Sequence, residues 1–270
     1  MNYRPVMNNI PPVVKNLIII NVLFLLATWI LQTRNVDLVE FFGMHYPGSE
    51  KFRLHQIITH MFMHGGLFHL FFNMFALWMF GRVLESVWGS RRFMIYYFVT
   101  GLGAVALHMF VSHLEISAIQ NSIEAFRNTP SPELLDQFVK KNLPNASVQV
   151  RDFINTWYDN PASSAYAAEG LSLMERILRL KMDIPTVGAS GAVFGVLLAF
   201  GVLFPNTQLM LLFPPIPIKA KYFVIGYGLI ELYLGFSRPG SNVAHFAHLG
   251  GMLFGYLLIK YWNKTTKHFY

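Results

Sequence analysis

The chain has 270 residues, of which 54% are apolar and only 13% are charged. Soluble domains carry about 25% charged residues, so this chain has too little charge to cover a water-facing surface. The absence of cysteine excludes disulfide scaffolds, cysteine-ligated metal sites and a cysteine nucleophile. The net charge of +7 comes from basic residues that flank apolar runs and form no single face. We therefore expect them to orient the chain in a membrane rather than bind nucleic acid.

The alternation of long apolar runs with charged segments predicts an all-α, polytopic membrane protein. The first run is too long for the core of a signal peptide and no small-residue cleavage site follows it, so we do not expect it to be cleaved. The fourth and fifth runs are short for a bilayer core, which needs about 20 helical residues. Six spans are predicted, at roughly 13–31, 67–87, 93–111, 189–204, 220–236 and 243–262.

The chain is expected to form one membrane domain in three parts. Residues 1–111 hold three spans and a membrane-associated first loop, residues 112–185 form an extramembrane insertion, and residues 186–270 hold the last three spans and a cytoplasmic tail. The insertion should be mostly helical, because Ser131-Pro132-Glu133 is a typical helix start and residues 164–182 have helical periodicity.

The basic residues predict the orientation. With the N-terminus in the cytoplasm, ten of the 21 lysines and arginines lie on the cytoplasmic side together with a single acid, Glu85. Since cytoplasmic loops carry an excess of basic residues, we expect both termini inside and the insertion outside. The expected location is a bacterial inner (plasma) membrane.

A serine lies in the sequence Gly188-Ala189-Ser190-Gly191, which opens the fourth span. Small neighbours let a substrate backbone approach the hydroxyl, and the amides at a helix N-terminus can stabilise an oxyanion. The alternative is a packing seam, because Gly191 and Gly195 form a GxxxG pattern.

Two histidines open the sixth span in the sequence His245-Phe246-Ala247-His248-Leu249-Gly250-Gly251, and Gly255 follows. Histidine within a span is costly and therefore indicates a function. If the glycines of this motif pack against those of the serine motif, His248 would reach Ser190. The alternative is a helix-capping role at the membrane interface, and that is where we expect His245.

A third group, His64, His69 and Asn73, comes at the start of the second span. His69 and Asn73 are four residues apart and therefore share a helix face, where both can donate hydrogen bonds. Structural hydrogen bonding and metal binding are the alternatives.

Together the three motifs supply the parts of an acyl-transfer site. The HExxH motif of zinc proteases is absent. The one acid well inside a span is Glu231, and we expect no acid behind the histidine. A two-residue pair, Ser190 and His248, is the simplest interpretation.

These motifs resemble the rhomboid family of intramembrane serine proteases over about residues 55–111 and 185–262, including Glu85 with Gly89-Ser90. The resemblance implies a six-helix bundle with a helical insertion between the third and fourth spans. It also implies an endopeptidase that cleaves transmembrane protein substrates in or near their membrane segments, within the lipid bilayer and without a metal or other cofactor.

By the same resemblance, Ser190 would be the nucleophile and His248 the general base. Asn73, His69 and the Ser190 amide would form the oxyanion hole. Supporting positions would be His64, Gly188, Gly191, Gly251, Gly255 and Phe194.

The sequence departs from many rhomboids at three places. His55-Gln56 replaces a frequent Trp-Arg pair, so the first loop is expected to be anchored differently. Phe194 replaces a frequent tyrosine but can still pack against His248. The insertion is also long. Three rival interpretations remain. The presence of both Ser190 and His248 disfavours a catalytically inactive relative, and the scarcity of charge within the spans disfavours a transporter. A visible absorption spectrum would distinguish a multi-histidine haem or metal protein.

Overall fold

The computed structural model describes residues 10–210, 215–237 and 244–265. It is all-α apart from one small hairpin, and it divides into two compact units. Unit 1 comprises residues 1–44, 53–109 and 185–270, and unit 2 comprises residues 45–52 and 110–184. The helices are α1 (Pro12–Gln32), α2 (Leu38–Phe42), α3 (Gln56–Thr59), α4 (Leu67–Ala76), α5 (Arg82–Trp88), α6 (Ser90–Asn128), α7 (Pro132–Asn142), α8 (Val148–Asp159), α9 (Ser164–Met182), α10 (Ser190–Leu203), α11 (Ala220–Ser237) and α12 (His245–Thr265).

Each predicted span coincides with helix in the described residues. A π-helical turn, Leu77–Gly81, joins α4 to α5, so the second span is one helix from Leu67 to Trp88. This helix, α1 and α6 are long and apolar enough to cross a membrane. Helix α10 is apolar but has only 14 residues. The count of six spans therefore stays a prediction.

The N-terminus of α1 is capped by a carboxylate from a distant part of the chain. Pro11 and Pro12 begin this helix, and no side chain of its own caps it. Instead Val13 and Val14 donate their amides to the two oxygens of Glu85, at 3.0 and 2.9 Å. Ser90 also donates its hydroxyl to this carboxylate, at 2.7 Å. Glu85 is buried, and these three bonds compensate for its desolvation.

The third span was predicted to end at Val111, but α6 continues without a break to Asn128. The residues after Val111 become polar without including a glycine or proline, and the next proline is Pro130. A change of polarity marks the end of an apolar run, whereas proline or glycine marks the end of a helix. The predicted start of the insertion, residue 112, therefore lies inside α6 and does not mark the end of a helix.

The hairpin was not predicted. It consists of β1 (Gln208–Met210) and β2 (Pro217–Lys219), which pair antiparallel with Leu209 opposite Ile218. It lies between α10 and α11, and the Ala220 amide donates to the Thr207 carbonyl at 2.8 Å.

Unit 2 has its own apolar core, in which Phe126 meets the fully buried Trp157 edge to face at 5.8 Å. The predicted start of α7 is present: Pro132 is its first residue and the Ser131 hydroxyl accepts from the Leu134 amide. The predicted helix over residues 164–182 is α9. Residues 112–185 are thus mostly helical, as predicted, whereas their status as an extramembrane insertion stays a prediction.

Candidate active site

Ser190 is the first residue of α10, and two backbone contacts fix the segment before it. Met44 and Thr186 form an isolated antiparallel bridge with reciprocal amide-to-carbonyl bonds of 2.9 and 2.8 Å. The Gly188 amide donates to the His60 carbonyl at 2.9 Å. Gly188 has φ +127°, a conformation that side chains other than hydrogen rarely allow. Ser190 is partly exposed, so its hydroxyl remains accessible.

The histidine predicted to act with Ser190 lies beside it. The Ser190 hydroxyl Oγ and His248 Nε2 are 2.8 Å apart, although the two residues are 58 positions apart in the sequence. The Phe194 ring lies one helical turn after Ser190 and stacks on the imidazole, with ring centroids 4.1 Å apart and planes 5° apart. Phe194 therefore limits rotation of the imidazole while Nε2 faces the serine.

Glycine brings α10 and α12 into backbone contact. A methyl group built at Gly251 would lie 1.8 Å from the Gly191 carbonyl oxygen, so only hydrogen fits there. The glycine that follows the histidine motif makes a different contact. Gly255 faces the Tyr96 hydroxyl instead, and Tyr96 donates to the Gly195 carbonyl at 2.8 Å. The Tyr96 hydroxyl of α6 therefore contacts both Gly255 and Gly195.

His69 and Asn73, the predicted oxyanion donors, both lie on α4. The His69 ring packs against Gly188, where a methyl group would come within 2.9 Å of the ring atoms Cε1 and Nε2. Asn73 is buried, and its Nδ2 has no hydrogen-bond partner among the described residues. An unpartnered buried amide is an available donor, which is what an oxyanion requires.

His64, predicted to support the site, is buried in the segment before α4. Its ring meets the edge of the His69 ring at 5.0 Å. Burial lowers the pKa of His64 to about 4, so this histidine is neutral at pH 7. Neither of its ring nitrogens has a hydrogen-bond partner within the described ranges. Its contact with the predicted site is the one with the His69 ring.

No acid was expected behind His248, and this prediction was wrong. Glu231 of α11 is buried, and its Oε2 lies 3.0 Å from His248 Nδ1 and 2.6 Å from His245 Nδ1. His245 is 7% exposed and is the first residue of α12; its expected position at the membrane interface stays a prediction. An acid in the middle of an apolar span is itself a signal of function, and that signal could have identified Glu231.

The same three side chains could hold a cation. One ligand atom from each of Glu231, His245 and His248 lies within 4.8 Å of the other two. Carboxylate and imidazole are zinc ligands, but a cation there would occupy His248 Nδ1. The short contacts that the groups make with one another already account for their positions.

A small cavity borders Ser190. Its volume is about 20 Å³, and thirteen residues line it, among them His60, Thr186, Gly188 and Ala247. This is enough for one water molecule.

The first loop is anchored by the pair that departs from the usual Trp-Arg. The Phe41 carbonyl lies 2.9 Å from His55 Nε2 and accepts a bond from Gln56 Nε2 at 3.3 Å. The Phe41 and His55 rings are also in contact, with centroids 4.9 Å apart. Thr59 adds a hydrogen bond to the Phe42 carbonyl. These bonds hold α3 against α2.

The sequence of the chain matches the model of the rhomboid domain over residues 51–118 and 162–264. Among curated proteins it is similar to Rhomboid protein 1, mitochondrial, of Saccharomyces cerevisiae, at 25% identity over 211 residues, which is 78% of this chain and 42% of that protein. It is also similar to Rhomboid protease GluP of Bacillus subtilis, at 38% identity over 56 residues (20% and 11%). RHOMBOID-like protein 6, mitochondrial, of Arabidopsis thaliana is 42% identical over 60 residues (22% and 19%). Each match covers less than half of the relative's length.

Proposed function

Since this chain belongs to the rhomboid family, we propose that it is an intramembrane serine endopeptidase in which Ser190 and His248 are the catalytic pair. The observation that carries the proposal is the 2.8 Å contact between Ser190 Oγ and His248 Nε2. A serine hydroxyl is a weak nucleophile until an adjacent base accepts its proton. The stacked Phe194 ring keeps that imidazole in the orientation that directs Nε2 at the serine.

The reaction follows from this geometry. The Ser190 oxygen attacks a peptide carbonyl carbon while its proton passes to His248 Nε2, and a tetrahedral oxyanion forms. His248 then gives the proton to the leaving amine, so that an acyl-enzyme remains. A water molecule, activated by His248 in the same way, releases the new carboxyl group and restores the serine.

The oxyanion would be stabilised by three donors: the Ser190 amide, Asn73 Nδ2 and the His69 ring. The Ser190 amide is at the first residue of α10 and has no partner within that helix. Asn73 offers an unsatisfied amide, and His69 packs on Gly188, two residues before the nucleophile. Donors already oriented towards the developing charge lower the barrier without reorganising.

The substrates would be transmembrane protein segments. The chain is a membrane protein with three apolar helices of spanning length, so a substrate must reach Ser190 from the bilayer. It must also unwind locally, because the carbonyls of a helix are hydrogen-bonded and shielded. The proposed topology has both termini in the cytoplasm and the site and insertion outside. The bacterial inner membrane stays a prediction, since the relatives include mitochondrial and bacterial proteins.

The test is labelling by a fluorophosphonate probe, which reacts with activated serines. The purified wild-type chain should be labelled, and Ser190→Ala and His248→Ala should not be. Ser86→Ala is the matched control, because Ser86 is exposed and bonds only to its own helix. Cleavage of a transmembrane substrate in vesicles should follow the same order and persist in excess EDTA. Labelling of Ser190→Ala, or an unlabelled folded wild type, would refute the proposal.

A further inference from the structure

Glu231 is a carboxylate in an otherwise apolar helix. It is the single acid of α11 and is 6% exposed. A buried carboxylate is strongly disfavoured unless nearby groups compensate for its lost hydration. Two imidazole nitrogens do so here, since Oε2 lies 2.6 Å from His245 Nδ1 and 3.0 Å from His248 Nδ1. One oxygen is thus shared between two histidines.

The two nitrogens of His248 face different partners. Nε2 faces the Ser190 hydroxyl and Nδ1 faces Glu231. An acceptor beside Nδ1 favours the tautomer with its proton there, which leaves the Nε2 lone pair directed at the serine. That is the tautomer that a general base needs.

The contact between Glu231 and His248 is close but not aligned as a hydrogen bond, because His248 Nδ1 has no partner of good geometry among the described residues. Catalytic hydrogen bonds are often loose without substrate and shorten when charge develops. When His248 takes the serine proton it becomes a cation 3.0 Å from the carboxylate. Attraction between the two then stabilises the charged intermediate.

We infer that Glu231 is a positioning residue for His248, and that His245 holds Glu231 in place. The reacting group is then a chain of Ser190, His248 and Glu231 rather than a serine–histidine pair alone. This inference rests on the proposed function and assigns a role to two residues that the pair leaves unused.

Glu231 is also the one negatively charged group among those that interact electrostatically with His248. His69 of α4 and His108 of α6 interact with it electrostatically, and His245 precedes it on α12. All three are imidazoles, and none of them can supply a negative charge. Within the described part of the chain, stabilisation of a charged His248 therefore depends on Glu231.

The experiment compares full-length wild type with Glu231→Gln, which keeps the shape and removes the charge. Two quantities are measured between about pH 5 and 9: the rate of fluorophosphonate labelling, and kcat and KM for a transmembrane substrate in vesicles. We expect kcat to fall by about 10-fold to 10⁴-fold, the upper bound being the effect of the equivalent change in soluble serine proteases. KM should be unchanged.

The pH profile separates positioning from a merely structural role. Loss of the carboxylate charge changes the electrostatic environment of the imidazole, so the acid limb of the labelling rate should move in Glu231→Gln. Glu231→Asp, which restores the charge, should move the limb back towards the wild-type position. His245→Ala keeps the carboxylate and loses one of its two partners, so a smaller loss of about 10-fold or less is expected.

The control is Glu169→Gln, an exposed acid of α9, which should leave both measurements unchanged. Wild-type kcat and an unmoved acid limb in Glu231→Gln would overturn the inference while leaving the proposed function intact. If Glu231→Gln does not fold, His245→Ala decides: a reduced kcat at unchanged KM supports the inference, and wild-type kcat overturns it. A wild type unlabelled at Ser190 would instead reject the proposed function.

Discussion

Gly251→Ala should separate α10 from α12 and so disconnect Ser190 from His248. The added methyl group would lie 1.8 Å from the Gly191 carbonyl oxygen, whereas ordinary contacts begin at 3.4 Å. The obstacle is backbone, which cannot rotate away as a side chain could. The helices must therefore part by about 1.6 Å if the whole clash is relieved by translation.

The magnitude follows from the position of the clash. Gly251 is one turn after His248, so most of the displacement reaches the imidazole. The 2.8 Å contact between Ser190 Oγ and His248 Nε2 would lengthen to at most about 4.4 Å, and a misplacement of about 1 Å already costs on the order of 100-fold in rate. The free energy of unfolding should also fall by about 1–3 kcal/mol, as is usual for overpacking.

The assay measures fluorophosphonate labelling of Ser190 together with thermal unfolding in detergent, followed by circular dichroism. Gly226→Ala is the matched control, because a methyl group on that α11 glycine meets nothing within 4 Å. It should keep full labelling and gain up to about 1 kcal/mol in stability from the better helix former. Wild-type labelling by Gly251→Ala would refute the view that this glycine contact assembles the site.

Three further predictions concern the oxyanion, the α1 cap and the topology. Asn73→Ala should lower kcat by on the order of 100–1000-fold at unchanged KM, because the donor acts only on transition-state charge; steady-state kinetics checks this. Glu85→Ala should lower the free energy of unfolding by about 2–4 kcal/mol, because the Val13 and Val14 amides lose their acceptor. Ser86→Ala, a change at the exposed neighbour, should alter it little. Denaturation in detergent measures both. In this cysteine-free chain, Asn145→Cys should react with an impermeant maleimide in spheroplasts and Lys264→Cys only after lysis; the reverse pattern would overturn the topology.

Much of the helical framework could be predicted from the sequence, because apolar runs of bilayer length and helix-capping residues are local signals. The bounds of α1 and α9 differ from the predicted ones by at most one residue. The end of α6 could not be predicted from hydropathy, since polarity changes at Val111 while the helix continues. The hairpin between α10 and α11 was also missed, because two three-residue strands carry almost no periodicity.

The serine and histidine of the candidate site could be predicted because small-residue and histidine motifs stand out within apolar spans. Glu231 was noted but given no role, since nothing local connects it with His248, which is 17 positions later. Whether two residues on different helices face one another depends on helix rotation, and rotation is set by packing of the whole bundle. The contact of Gly255 with Tyr96 rather than Gly195 is another result of that packing.

The cap on α1 has a consequence for biosynthesis. Val13 and Glu85 are 72 positions apart, so at about 5–20 residues per second the carboxylate is synthesised roughly 4–14 s after the amides that it will bind. During that interval the first helix must rely on water or lipid headgroups at its N-terminus. The N-terminus of α1 therefore obtains its cap only after the second span has been synthesised and packs beside it.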